Sequence, residues 1–321
     1  MKTEIRYSTK RLLQPLKIVL FFTAGFYCGV TQDDVSAAEH QTDTGGLDRF
    51  EEIMYDGLDA FYQTDWKMAA EYFATLQKLE PDNPRGYFFS AMIPFWEYFF
   101  VDQNEDTAQN FMDAADVAIA KAEKKYKKNP DDVRLISMLS GLYGYKSLVA
   151  SGENNVRTAI RNGRDGFNYT QLLLDRDETM PEIYIGRGMY HYMVGSVPRG
   201  LRWLVRLFGL NGDTHKGFAE LKKAAASEGY IRADAKMILA YLFNKEGEHE
   251  KAIDYLEELI DEFPRNQIFH FVYAETLESM GKETEAILAY NAVLHLNDDS
   301  SISGLHDMIK KRMSDMKSSR S

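Results

Sequence analysis

Histidines and carboxylates carry most of the acid–base and metal-binding capacity of this chain, so their spacing decides what chemistry they could do. The histidines beyond His40 are scattered, and no two of them lie four residues apart on a helix, as zinc ligands would. His191 stands among tyrosine and methionine side chains, which is more typical of a packed or pocket-edge histidine than of a metal ligand. The sequence therefore predicts no metal site and no cofactor.

Motifs for covalent catalysis and nucleotide binding are missing from the sequence. It contains no Gly-x-Ser-x-Gly elbow and no Gly-Lys-Ser/Thr loop, and its single cysteine, Cys28, lies in the N-terminal segment. Adjacent carboxylates such as Glu257 and Glu258 are typical of solvated helix faces. The run Gly186-Arg187-Gly188 lacks the preceding strand that a dinucleotide site requires. We therefore expect a protein that is not an enzyme and has no catalytic residue.

Aromatic side chains crowd into residues 86–101, which we call the aromatic segment. It contains Tyr87, Phe88, Phe89, Phe95, Trp96, Tyr98, Phe99 and Phe100. Two interpretations are open: a central helix buried on nearly all sides, or an aromatic-lined groove for an apolar ligand or peptide. The apolar pattern around the whole helix favours burial.

A second unusual stretch, near residues 196–210, combines apolar residues with three arginines at three-four spacing. The arginines are Arg199, Arg202 and Arg206, and Trp203 lies between them. Such a short helix could lie in a membrane interface. Alternatively, its apolar side fills the concave face of the fold while the arginines meet carboxylates of this acidic chain. We expect the second arrangement, because a short helix buries too little area to anchor strongly by itself.

Aromatic and basic side chains of these segments and of the helix before the second one are the candidate partner- or ligand-binding residues. They are Tyr87, Trp96, Tyr184, Tyr190, His191, Arg199, Arg202, Trp203 and Arg206.

Two stretches near the C-terminus repeat each other at a spacing of 34 residues and indicate which elements position these residues. The residues at repeat positions 8, 20 and 24 are Ala240, Ala252 and Leu256 in the first stretch, and Ala274, Ala286 and Tyr290 in the second. Small residues at two positions let antiparallel helices approach closely, and the bulky third fills the seam to the next hairpin. This pattern is that of tetratricopeptide repeats.

The same pattern recurs near the beginning of the repeat region, with Gly57, Ala69, Phe73 and Pro81 at positions 8, 20, 24 and 32. The sequence thus predicts an all-α solenoid of tetratricopeptide-type helical hairpins, with roughly five to six helix pairs. We assign residues 47–300 to the repeats, with a short helical insertion near 196–210. Residues 301–321 are assigned to a capping helix, apolar on one face only, and a tail.

Residues 184–243 also carry a more specific pattern. A helix with Gly186 and Gly188 is followed by a turn with Ser196 and Pro198, a short apolar helix, a turn with Gly209, Gly212 and Asp213, and a helix with Gly217 and Leu221. This order resembles the tetratricopeptide-repeat family of the inclusion body clearance protein and animal tetratricopeptide repeat protein 39. The resemblance implies an all-helical repeat fold and a non-enzymatic scaffold role.

The formal net charge of the chain is -11, which disfavours nucleic-acid partners because an acidic surface repels a phosphate backbone. The N-terminus has the features of an export signal: basic residues up to Lys17, an apolar run over 18–30, and small residues at 35–38. We assign 1–38 to a signal peptide, or an anchor if it is not cleaved, and 39–46 to a flexible leader. The expected location is therefore periplasmic or otherwise extracytoplasmic.

These observations predict an exported, non-catalytic scaffold or adaptor that holds a protein partner in the concave face of the solenoid. The alternative is a carrier of a hydrophobic small molecule or lipid in an aromatic pocket formed by 86–101 and 184–210. Peripheral membrane contact through the insertion remains open beside both.

Overall fold

The computed structural model describes residues 47–101, 103–174, 180–207, 210–296, 302 and 304–318. The signal and leader assigned to 1–46 lie outside the described residues. In chain order the first helices are α1 (Leu47–Tyr62), α2 (Trp66–Leu79), α3 (Pro84–Trp96), α4 (Glu105–Tyr126), α5 (Val133–Gly152), α6 (Val156–Leu174) and α7 (Pro181–Gly195). They continue as α8 (Arg202–Leu207), α9 (Thr214–Ala225), α10 (Ile231–Glu246), α11 (His249–Glu262), α12 (Gln267–Ser279), α13 (Glu283–His295) and α14 (Leu305–Ser318).

The helices pair as antiparallel hairpins, α1 with α2, α3 with α4, α5 with α6, α7 with α9, α10 with α11, and α12 with α13. A π-helical turn, Glu97–Val101, extends α3 beyond Pro94, and a short 3₁₀ turn, Arg199–Leu201, precedes α8. Strands are absent from the described ranges. The all-α hairpin solenoid predicted from the repeats is confirmed.

Small residues at the predicted repeat positions do bring the hairpin helices together. Ala240, Ala252, Ala274 and Ala286 are completely buried, as are Leu256 and Tyr290 at the third position. Buried alanines allow close helix packing, and each bulky residue then fills the space that remains at the seam. The 34-residue spacing therefore correctly identified residues of the buried core.

The turns of the hairpins α1–α2, α5–α6, α10–α11 and α12–α13 each use one residue with a left-handed backbone. The φ angles are 58° at Thr64, 60° at Asn154, 79° at Gly247 and 74° at Gly281. In each turn the following backbone N–H donates to the carbonyl five residues earlier, as Glu248 N does to Phe243 O at 2.8 Å. This bond satisfies a carbonyl that the helix end would otherwise leave unpaired.

Side-chain caps begin many of the helices. The residues whose side chains accept a hydrogen bond from a first-turn N–H are Asp65, Asn83, Asn104, Asp132, Asp213 and Asn266. Such caps satisfy donors that have no partner within the helix and so fix where each helix starts.

The first hairpin also contacts the repeats that follow it by 172 to 204 residues. The hydroxyl of Tyr62 donates to Asp234 on α10, and the side-chain amide of Asn266 donates to the Tyr62 carbonyl, each at 2.6 Å. The Tyr62 ring stacks on Tyr230 and Phe263 at 5.2 and 5.1 Å. The solenoid therefore curves tightly enough for its first hairpin to join its last repeats in one core.

Among the residues described, none of the helices combines the length and the apolar character needed to span a bilayer.

Candidate partner-binding surfaces

The predicted insertion connects two helices, α7 and α9, that approach unusually closely. A Cβ on Gly217 would lie 2.6 Å from Tyr192 N and 2.8 Å from Gly188 O, and both of these atoms belong to the backbone of α7. Only glycine allows this contact without moving one of the helices. Because α7 and α9 pack directly against each other, the 3₁₀ turn and α8 that connect them lie outside the hairpin.

Apolar contacts anchor both ends of this insertion. Val197 and Leu210, near its two ends, are buried with Tyr190 and Val194 of α7. The same small core is covered by Phe167 and Leu174 of α6. Tyr190 is thus part of this core: it is 7% exposed, and its hydroxyl accepts a hydrogen bond from Asn211 N at 3.3 Å.

Exposed residues of the insertion lie on α8 and on the 3₁₀ turn before it. Trp203 is 62% exposed and Leu207, one turn later, is 72% exposed. Arg199 and Arg206 are exposed, and the guanidinium of Arg202 donates to the carbonyls of Val197 and Gly195 at 3.2 and 3.4 Å. The interpretation that α8 fills the concave face is therefore wrong at Trp203 and Leu207. The insertion is instead held near its two ends, where Val197 and Leu210 are buried.

A second exposed feature, which we call the α7 stripe, consists of Tyr184, Arg187 and His191, spaced three and four residues apart on α7 and each partly exposed. Arg187 donates to Glu220 Oε2 at 2.7 Å, and Lys223 donates to Glu220 Oε1 at 3.0 Å. Both cations also lie over the Tyr184 ring, at 5.3 and 5.2 Å from its centroid. The α9 side chains thus hold the stripe in place.

Charges around the stripe are fixed by the same contacts. Burial alone would raise the pKa of the Glu220 carboxyl, but the hydrogen bonds from Lys223 and Arg187 hold it below its ordinary range. Partial burial, assisted by the charge of Lys216, lowers the pKa of His191. The imidazole is therefore neutral at neutral pH, and its buried Nδ1 has no hydrogen-bond partner among the described residues.

The aromatic segment forms part of the core. Trp96 is 3% exposed and contacts the rings of Phe61, Tyr62 and Phe269 at 5.0, 6.1 and 6.0 Å. Tyr87 is half-buried, donates its hydroxyl to Pro81 O at 3.2 Å and lies under the ammonium of Lys121. The burial predicted for the segment is confirmed for most of its rings, and the segment packs between the first and last repeats, which was not predicted.

The nine candidate residues therefore fall into separate places. Tyr184, Tyr190 and His191 share α7, the three arginines and Trp203 share the insertion, and Tyr87 and Trp96 lie on α3. Their binding roles stay predictions. In the described part of the chain, no three His, Cys, Asp or Glu side chains are grouped so that they could hold a metal ion.

Glu220 and Lys223 were missed by the sequence interpretation although they organise the α7 stripe. They follow Arg187 by 33 and 36 residues, and neither belongs to a recognisable motif. The available signal was the glycine pair, Gly188 and Gly217, because a close approach there places Glu220 beside Arg187.

Comparison with known proteins agrees with this architecture. Two tetratricopeptide-repeat family models match the chain, one over residues 205–266 and the other over 243–309. No curated protein matches the chain. The matched residues include the hairpins α10–α11 and α12–α13 with their buried alanines. Residues 205–309 of this chain are therefore similar to tetratricopeptide repeats, and the helical hairpins of the described residues extend back to Leu47.

Proposed function

We propose that this chain is a non-catalytic, exported scaffold that holds a protein partner on its helical repeats. Tetratricopeptide repeats commonly mediate protein–protein interaction, because stacked hairpins present an extended binding surface. The α7 stripe is the observation that carries the proposal. Interface hot spots are enriched in tyrosine and arginine, and Tyr184 and Arg187 are partly exposed side by side.

Preorganisation strengthens the case for the α7 stripe. A partner loses affinity when it must immobilise flexible side chains, by about 0.5–1.5 kcal/mol for each one. Here Glu220 already holds both Arg187 and Lys223, and the two cations already cover Tyr184. A partner would therefore meet a rigid surface with an aromatic ring, a fixed positive charge and a neutral imidazole.

Export is part of the same proposal and rests on the N-terminal sequence. The basic residues, the apolar run over 18–30 and the small residues at 35–38 follow the order of a signal peptide.

We also propose the specific likeness to the inclusion body clearance and tetratricopeptide repeat protein 39 family. It rests on the turns and glycines between Gly186 and Leu221.

The carrier alternative has less support. Its pocket was expected between the aromatic segment and residues 184–210. The rings of the aromatic segment contact α1, α10 and α12, whereas Tyr184 contacts cations of α7 and α9 and Tyr190 stacks on α6. The side chains that would line one pocket thus pack in different parts of the fold.

Site-directed photocrosslinking tests the proposal. A photoreactive phenylalanine derivative replaces Tyr184 in one full-length variant and Tyr273, a partly exposed tyrosine on α12, in the control. After illumination in the native cell envelope, mass spectrometry should identify one dominant protein attached at position 184 and not at 273. Crosslinks to lipid alone, or the same mixture of proteins from both positions, would rule the proposed surface out.

A further inference from the structure

The exposed apolar surface of α8 has a counterpart on α6, and the sequence analysis did not connect the two. Val156, Ile160, Phe167 and Leu174 recur at intervals of four and seven, so they lie along one side of α6. Phe167 and Leu174 pack against the small core that includes Val197 and Leu210, near the two ends of the insertion. The rest of the stripe is uncovered, with Val156 and Ile160 56% and 53% exposed.

Arginines flank this uncovered stripe as they flank Trp203. On α6 they are Arg157, Arg161 and Arg164, all exposed, with Asp165 as the one acidic residue of the helix. The segment 199–207 has three arginines and no acidic residue. In a chain of formal net charge -11, these two adjoining elements carry +2 and +3.

We infer that α6 and α8 together form one face that binds the surface of a bilayer containing anionic lipid. The charge of the face is complementary to acidic headgroups and opposite to that of the whole chain. Trp203 supplies an amphipathic ring of the kind that sits at headgroup depth, and Leu207, Val156 and Ile160 supply apolar area for insertion.

An acidic protein is the competing partner, and the apolar residues argue against it. Four large apolar side chains are between half and three-quarters exposed, and an acidic protein surface would leave them without apolar partners. Arginine side chains can reach headgroup phosphates while their stems stay beside apolar neighbours. This face therefore suits the surface of a bilayer, which has an apolar interior and anionic headgroups.

Vesicle co-sedimentation of the full-length protein tests the inference. The probes are vesicles of phosphatidylcholine alone and of equal parts phosphatidylcholine and phosphatidylglycerol. The first variant, Arg199→Ala/Arg206→Ala, leaves in place Arg202 and its bonds to backbone carbonyls, and the second is Arg157→Ala/Arg161→Ala. Each pair should weaken binding to anionic vesicles by about 25-fold, at about fivefold for each basic residue near the surface. Added salt should weaken wild-type binding as well.

The apolar contribution has its own variant and control. Trp203→Ser/Leu207→Ser should weaken binding, whereas Leu288→Ser, which removes a 66% exposed leucine from α13, should not. Lys67→Ala/Lys78→Ala on α2 removes two exposed cations elsewhere and should also leave binding unchanged. Vesicles should shift the tryptophan emission of the wild type to shorter wavelength, and Trp203→Phe should abolish this shift.

Three results would overturn the inference. Equal binding to neutral and anionic vesicles would show that charge does not matter, as expected if the apolar run at 18–30 alone inserts. Equal binding by the wild type, the two arginine-pair variants and Trp203→Ser/Leu207→Ser would show that the face is not involved. Salt-sensitive binding to polyglutamate that the arginine pairs weaken, without binding to vesicles, would assign the face to an acidic protein.

Discussion

Asp234 is a carboxyl group in an apolar environment at the contact between the first hairpin and α10. It is 4% exposed, its Oδ1 accepts the Tyr62 hydroxyl, and its Oδ2 has no hydrogen-bond partner among the described residues. Burial raises the pKa of Asp234 to about 8, against a tendency of the Tyr62 hydrogen bond to lower it. The folded protein therefore keeps this carboxyl protonated over a pH range in which an unfolded chain, near its ordinary value of 3.8, has lost the proton.

The sign of the resulting pH dependence follows from proton counting. Between pH 4 and 8 the folded state binds one more proton at Asp234 than the unfolded state, so the free energy of unfolding falls as pH rises. The asparagine of the Asp234→Asn variant cannot titrate, so the variant should lack this contribution to the pH dependence of the free energy of unfolding. The wild type should lose up to about 1.4 kcal/mol per pH unit relative to the variant between pH 5 and 8. Urea unfolding of both proteins at several pH values measures the difference, and a difference that stays constant with pH would contradict the assignment.

At the scale of helices, much of the fold was predictable because the repeat pattern specifies local packing. Ala240 and Ala252 must be small for α10 and α11 to approach, so their spacing identifies both helices and their contact. The orientation of α8 was not predictable in the same way. Its exposure depends on the buried ends, Val197 and Leu210, and on the glycine contact between α7 and α9, none of which is a property of α8 itself.

The hairpin turns show a second limit of sequence interpretation at this scale. Gly247 and Gly281 are the residues expected at a left-handed helix end, but Asn154 and Thr64 occupy the same place in other hairpins. Threonine is β-branched and rarely adopts this backbone. Here its hydroxyl accepts from Gln267 N and donates within the turn, contacts that only the folded chain provides.

A substitution at Gly247 isolates the energy of this turn. The space around it is open, since a Cβ there would meet no atom within 4 Å, so only its φ of 79° opposes a side chain. Gly247→Ala should lower the free energy of unfolding by about 1–2 kcal/mol, the strain of an ordinary residue in the left-handed region. Gly247→Asn should restore most of it, because asparagine tolerates that region. Thermal unfolding of both variants measures this, and equal destabilisation by alanine and asparagine would mean that backbone strain is not the cause.

At the scale of the whole molecule, the first hairpin and the last repeats share one core. This closure also explains why the aromatic segment is buried, since Trp96 contacts rings from both α1 and α12. The sequence did not predict it, because the turn residues involved are polar residues of common types separated by 201 to 204 positions. The α7 stripe was likewise predictable only in part. Its partners on α9, Glu220 and Lys223, are brought to it by the packing of the helices and belong to no sequence motif.

Asn266 is the residue at which closure can be tested without disturbing a helix. Its Oδ1 caps α12 by accepting from Phe269 N, while its Nδ2 donates to the Tyr62 carbonyl across the closure. Asn266→Asp keeps the cap, because aspartate and asparagine cap equally well, but places a carboxylate against that carbonyl. The loss of this buried donor should destabilise the protein by about 1–3 kcal/mol and speed amide exchange in α1 and α2 more than in α13. Asn155→Asp, at an exposed asparagine whose Oδ1 accepts from Thr158 N at the start of α6, should change neither quantity. If exchange rises uniformly along the chain instead, the first hairpin and the last repeats unfold as one unit, and closure is no separate step.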